Sequence, residues 1–229
     1  MADTNPLVFL LDVDNTLVDN DRVAADLKCH LDAAFGPERG GRYWQIYEEL
    51  RRELGYADYL GALQRYRIEN LRDPRMLALS LYLTDYPFAN RLYPQSLDAI
   101  DRLRGWGRVV ILSDGDVVFQ PRKIYRSGLW EAVEGHVLLY IHKEEMLDDV
   151  IAQYPAGHYV MVDDKIRILT AMKNAWGARL TTVFVRQGHY AADANTTAAY
   201  PPADVTIERI GDLLTLELAA LTGAAASGH

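Results

Sequence analysis

Five short, almost uninterrupted apolar runs punctuate the chain: Leu7–Leu11, Val109–Leu112, Val137–Ile141, Tyr159–Val162 and Thr182–Val185. Continuous apolarity, in place of the alternation of a half-exposed strand, is what a strand covered on both faces requires. Segments with helical spacing separate these runs. Residues 96–103 bring Leu97, Ile100 and Leu103 towards one face, and residues 143–154 do the same with Met146, Leu147, Val150 and Ile151. Residues 165–177 end at Gly177, a natural helix stop. Strand alternating with helix predicts an α/β fold, a doubly wound, Rossmann-like parallel sheet.

Residues 20–87 break that rhythm. They contain no strand pattern, only amphipathic helical stretches such as Val23, Leu27, Leu31 and Phe35 in RVAADLKCHLDAAF. A further stretch starts at Asp73 and Pro74, an N-cap residue and a first-turn proline. The predicted organisation is an α/β core domain from residues 1–19 and 88–229, interrupted by an all-helical domain at 20–87. ANTTAAYPPAD (194–204) reads as a surface loop and TGAAASGH (222–229) as a loose tail.

Composition narrows the function classes. In 229 residues, 49% are apolar, 24% are charged and the net charge is -8, which argues against a nucleic-acid-binding surface. Cys29 is the one cysteine, so the chain cannot form an internal disulfide, and a reducing compartment is expected. MADTNP lacks the basic start of a secretory signal, and no apolar run approaches membrane-spanning length. The expectation is a cytoplasmic protein with no membrane or nucleic-acid partner, either monomer or homodimer.

Open parallel sheets bind ligands beyond the carboxyl ends of their strands. The residues found there are Asp12 and Asp14 after the first strand, Ser113 and Asp114 after the second, His142 and Lys143 after the third, and Asp163 and Asp164 after the fourth. Five carboxylates on one edge are costly unless a cation sits among them. An all-oxygen donor set without a Cys or His pattern favours a hard ion such as Mg2+. A carboxylate can also act as a nucleophile, and a second one two residues along the same strand can move protons beside it.

DVDNTL, LSDG, the lysine after the third strand and VMVDD before a helix together resemble the four motifs of the haloacid dehalogenase-like superfamily. The helical insert resembles that family's helical cap, and TTVFVRQG and ADVTIERIGDLL are similar to its last strands and closing helix. The resemblance spans essentially the whole chain and implies a Mg2+-dependent phosphatase acting on a small phosphorylated metabolite. It assigns Asp12 as nucleophile, Asp14 as general acid and base, and Lys143 as the residue that neutralises developing charge. Ser113, with Asp114 in the same loop, falls at the phosphate-binding position. Mg2+ falls to Asp12, the Val13 backbone carbonyl, Asp14, Asp163 and Asp164, with Asp163 ordering metal-bound waters or holding Lys143.

Some of these positions have rivals. Ser113 and Asp114 could be simple loop residues, Asp116 reads as an N-cap, and Asp163–Asp164 could cap the following helix. Lys123 is an alternative to Lys143, but its segment FQPRKIYRSGLW reads as a helix beyond the site. Asn15 stands where many relatives have glycine, a mild departure because Asn tolerates left-handed backbone. The arginines and tyrosines of 43–67 read mainly as helix packing and solvated surface. On the same fold, 2-haloacid dehalogenation, phosphomutase activity and a catalytically idle binding or regulatory module are the competing functions. Dehalogenases of the superfamily lack the second aspartate of DVD, which favours phosphoester chemistry.

Overall fold

A computed structural model describes residues 7–222. MADTNP and residues 223–229 of the expected tail lie outside the described residues. Six strands form one all-parallel sheet: β1 Leu7–Leu11, β2 Arg108–Asp114, β3 Val137–Tyr140, β4 His158–Asp163, β5 Leu180–Val185 and β6 Val205–Ile207. Their order is β3-β2-β1-β4-β5-β6. The direction of winding reverses between β1 and β4, where open α/β sheets place their ligand crevice.

The apolar runs divide cleanly between the two faces. Leu7, Phe9 and Leu11 of β1, Val109 and Ile111 of β2, and Val160 and Val162 of β4 enter one core. Val8 and Leu10, Val110 and Leu112, and Tyr159 and Met161 enter the other. Each fully buried Leu, Val or Phe contributes about 1.5–3 kcal/mol, so a one-residue slip of any central strand would exchange two packed sets at once.

Twelve helices accompany the sheet among the described residues. Five lie between β1 and β2, and the first four of them fill residues 20–85: α1 Asn20–Phe35, α2 Pro37–Leu54, α3 Tyr59–Glu69 and α4 Arg75–Asp85. The expected Val23, Leu27, Leu31 and Phe35 are the buried residues of α1, which Asp19 caps by accepting from the Arg22 amide at 2.9 Å. Residues 17–19 and 91–93 carry the chain out of the core and back side by side. Asp19 N–H donates to Arg91 O at 2.7 Å and Tyr93 N–H to Leu17 O at 2.9 Å.

The other helices are α5 Ser96–Arg104, α6 Phe119–Arg126, α7 Leu129–Ala132, α8 Leu147–Gln153, α9 Ile166–Trp176, α10 Gly188–Ala192, α11 Ala194–Ala198 and α12 Leu218–Thr222. Several differ from the sequence reading. Leu97 is exposed, and α5 buries Ser96, Ala99, Ile100 and Leu103 instead. The helix expected over 143–154 is broken: Lys143–Glu145 form a 3-10 turn, Met146 is exposed, and α8 begins only at Leu147. That break turns the Lys143 side chain inward. The expected surface loop at 194–204 begins with α11, where Asp193 accepts from the Asn195 amide. The closing segment after β6 is a 3-10 helix at Ile210–Thr215. No described helix is long and apolar enough to cross a membrane.

Candidate active site

The end of β1 fixes the first residues of the site. Asp12 N–H extends the ladder to Val162 O at 3.0 Å, so the Asp12 side chain emerges beside the end of β4. The chain then turns sharply: the Thr16, Leu17 and Val18 amides all donate to Val13 O. This corrects the expectation that the Val13 carbonyl is a metal ligand, because the turn consumes it. The Asp14 carbonyl, by contrast, accepts no hydrogen bond among the described residues.

Asn15 sits at φ 61°, the left-handed conformation that suits glycine or Asn. Its side chain also anchors α1, accepting from the Asn20 and Asp21 amides at 3.0 and 3.1 Å. Gly188 packs against it so closely that a Cβ there would lie 2.5 Å from Asn15 Cβ, at φ 71°. Gly188→Ala is therefore expected to cost about 3 kcal/mol through overpacking and left-handed strain. Urea denaturation checks this; an unchanged midpoint would show that the turn has room to relax. Thr16 Oγ1 accepts from the Asp164 amide at 3.1 Å and so ties the β1 turn to the end of β4.

Asp12, Asp163 and Asp164 form a buried trio, each offering a carboxylate oxygen within 4.8 Å of the others. Lys143 enters from the β3 side, with Nζ 2.5 Å from Asp12 Oδ1 and 2.7 Å from Asp163 Oδ2. Asp163 Oδ1 accepts from the Lys165 amide at 2.8 Å, whereas Oδ2 meets Lys143 Nζ at ion-pair distance without a hydrogen bond. Asp12 Oδ2, Asp163 Oδ2 and both oxygens of Asp164 are buried without a hydrogen-bond donor.

Burial pushes Asp12 up to about 7, with Lys143 opposing the rise and Asp163 adding to it. Burial, reinforced by Asp163, also holds Asp164 well above the usual carboxylate range. For Lys143, burial acts against the charged form, but Asp12, Asp163 and Asp114 outweigh it and its pKa is raised. An arrangement with four buried carboxylate oxygens that lack hydrogen-bond donors fits a hard divalent ion.

Ser113 is buried, its Oγ accepting from Gln120 Nε2 at 3.0 Å. Asp114 Oδ1 accepts from the Lys143 amide at 2.7 Å, so it braces the β2–β3 edge. Asp116 lies two residues before Val118, the N-cap of α6, and its side chain accepts from the Val118 and Phe119 amides in the turn that leads into the helix. Asp14 stands apart from the trio. Lys123 Nζ lies 2.5 Å from Asp14 Oδ1 and 2.9 Å from Asn20 Oδ1. The α6 segment therefore lies at the site, contrary to its reading as a helix beyond it.

Lys165, to which the sequence assigns no role, also faces the carboxylates. Burial acts against its charge, but Asp12, Asp164 and Asp163 outweigh it and raise its pKa. Its position directly after the two aspartates of β4 was the available signal. Lys165 Nζ lies 5.1 Å from the centre of the Tyr190 ring, whose hydroxyl accepts from Arg51 of α2. The helical insert also meets the core at Gly55, where a Cβ would approach His142 Cε1 to 3.0 Å.

Against that geometry, a family model for haloacid dehalogenase-like hydrolases matches residues 7–175. The chain belongs to this family. A haloacid dehalogenase-like hydrolase from Burkholderia xenovorans LB400 is 65% identical, with TM-score 0.88, over 93% of this chain and 99% of the other. Two more distant structures share the fold alone. L-2-haloacid dehalogenase from Xanthobacter autotrophicus, with chloropropionic acid covalently bound, is 16% identical (TM-score 0.57; 91% and 97% covered). The hydrolase YfnB from Bacillus subtilis, bound to magnesium, is 15% identical (TM-score 0.61; 93% and 98% covered). No curated protein matches. Within the hydrolase family, the buried trio, Lys143 and the Asp14–Lys123 pair are the features of this chain that bear on its chemistry.

Proposed function

We propose that this hydrolase is a Mg2+-dependent phosphatase that cleaves small phosphomonoesters through a phosphoryl group carried on Asp12. The observation that supports it most is Asp14, a partly exposed carboxylate two residues from the buried Asp12 and outside the carboxylate trio. Displacing halide from a haloacid needs no proton for the leaving group, whereas an alkoxide leaving phosphorus is a strong base and needs one. The second carboxylate thus favours phosphoester cleavage over dehalogenation or an idle domain.

In this reading an Asp12 oxygen forms a bond to phosphorus while the ester P–O bond breaks, and Asp14 gives its proton to the departing oxygen. Asp14 then takes a proton from water as the water oxygen attacks the aspartyl-phosphate. The bond between phosphorus and Asp12 breaks, and inorganic phosphate leaves. Lys143 fixes Asp12 through Oδ1 and offsets charge on the phosphoryl oxygens, and Ser113 Oγ, oriented by Gln120, donates to one of them. A phosphomutase would share the first step and differ only in what accepts the phosphoryl group.

Asp12, Asp164 and the Asp14 carbonyl would hold Mg2+, with Asp163 contributing less because Lys143 and the Lys165 amide occupy it. Mg2+ supplies positive charge that lowers the cost of the buried carboxylates and of the incoming phosphate. The helical insert would act as a cap that excludes water, Arg51, Gly55 and Tyr190 lying where it meets the core. The protein is proposed to act in the cytoplasm as a monomer or homodimer, without nucleic-acid or membrane partners.

A panel of phosphomonoesters assayed with and without Mg2+ tests the reading; EDTA should abolish phosphate release and Mg2+ restore it. Metal binding has a readout of its own. Mg2+ is expected to raise the melting temperature of the native chain by mass action, and D164N to remove that rise. Activity and melting temperature indifferent to both treatments would overturn the metal assignment.

A further inference from the structure

The resemblance to the family offers two lysines for one phosphate position, and Lys143 fills it. That leaves a second buried ammonium without a role. Lys123 is 1% exposed, and its only charged partner within ion-pair distance among the described residues is Asp14. Its second contact is Asn20 Oδ1, at the first residue of α1. We propose that Lys123 is the positioning residue of Asp14, holding that carboxylate at the leaving-group side of the site and away from the Asp12–Asp163–Asp164 trio. The inference rests on the phosphatase reading and deepens it.

The sequence builds this contact through α6. Phe119, Gln120, Lys123 and Ile124 are the buried residues of that helix, a single face at i, i+1, i+4 and i+5. Gln120 and Lys123, three residues apart and hence neighbours on that face, reach two different motifs. Gln120 orients Ser113, and Lys123 holds Asp14. The opposite side of α6 is fastened to the insert: Arg122 donates to Thr84 O and pairs with Asp85, and Arg126 donates to Asp85 O. A helix anchored in this way is a rigid mount for a long side chain.

Asp14 has reason to need holding. Its side chain is 25% exposed, so burial alone does not fix its rotamer. A divalent ion or Lys143 would otherwise attract it towards the trio, where it could not reach the leaving oxygen. Lys123 engages Oδ1 and leaves Oδ2 without a hydrogen bond among the described residues. A lysine is suited to this task because its compact ammonium can serve Asp14 and Asn20 together. Buried ion pairs are weak sources of stability, which points to orientation as what the pair provides.

The test is a double-mutant cycle on the full chain, using p-nitrophenyl phosphate and an alkyl phosphate with Mg2+. K123M is expected to lower kcat about 100-fold, the scale of lost acid–base catalysis, with KM within about threefold of wild type. K123R, which restores the cation, should recover most of the loss. In a D14N background K123M should change kcat by less than about twofold, because the group it positions is gone. Asp14 keeps contact with water when Lys123 is removed, so K123M should fold. K123Q, uncharged but still a donor, serves in the same cycle if K123M does not. An equal loss from K123M in both backgrounds, or K123M within about twofold of wild type, would overturn the positioning role while leaving the phosphatase reading intact. Absence of phosphate release by the wild-type protein from either ester would instead overturn the phosphatase reading, and the role of Lys123 with it.

Discussion

Asp12→Asn is expected to lower phosphatase turnover by at least about a thousandfold while leaving the fold in place. The amide is nearly isosteric and occupies the same position at the end of β1, where the Asp12 backbone bonds to Val162 O at 3.0 Å. It cannot form the acyl-phosphate, so the loss falls on kcat. Stability should change in the favourable direction in the absence of Mg2+. Asp12 is one of three buried carboxylates, and burial already pushes it up to about 7. Replacing it removes a charge that the apo site does not fully neutralise. Steady-state kinetics and a urea melt in EDTA separate the two effects. Turnover within about tenfold of wild type would remove Asp12 from the reaction path.

Lys143→Met should damage both fold and function. Among the described residues its ammonium is the one group that joins Asp12 to Asp163 within ion-pair distance, and all three are buried. Removing one member of a buried ion cluster strands the others, at a cost of about 3–5 kcal/mol. The sign with pH is defined. The pKa of Lys143 is raised by its partners, so its contribution is present below its unfolded value and is lost only as pH rises through the raised folded value. The deficit of K143M should therefore be fully expressed at neutral pH. Adding D163N to K143M should return part of the lost stability, because it removes one stranded carboxylate. Catalysis should not return, because a donor to the phosphoryl oxygens is still missing, worth about 100- to 1000-fold in rate. Equal stability of K143M and wild type in urea at neutral pH would contradict the ion-pair geometry.

The strands were legible because a strand covered on both faces leaves an unbroken apolar run, as LVFLL does. β1, β2 and β4 are buried along most of their length, while β3 at the sheet edge buries only Leu138 but keeps an apolar sequence. Asp12, Asp163 and Asp164 were legible for a related reason: each directly follows such a run, where the sheet delivers side chains to one edge. Lys143 followed a strand too, although the 3-10 turn that points it inward was hidden in what reads as one continuous helix. Features that depend on how distant segments meet were not legible. A carbonyl carries no sequence signature, so the turn that consumes Val13 O could not be seen in DVDNTL. Gly188 against Asn15 is a contact between residues more than 170 positions apart. Lys123 reads as part of a helix beyond the site. Its spacing from Phe119, Gln120 and Ile124 placed it on the buried face, but the carboxylate that makes such burial tolerable comes from the other end of the sequence.

The covalent route through Asp12 is tested most directly by trapping the intermediate. The wild-type chain is mixed with a phosphomonoester and Mg2+, quenched in acid within a single turnover and digested, and its peptides are read by mass spectrometry. A phosphoryl group on the peptide containing Asp12, absent from D12N, is the expected result. Phosphate release without any phosphorylated peptide, or a phosphoryl group on a different residue, would contradict it.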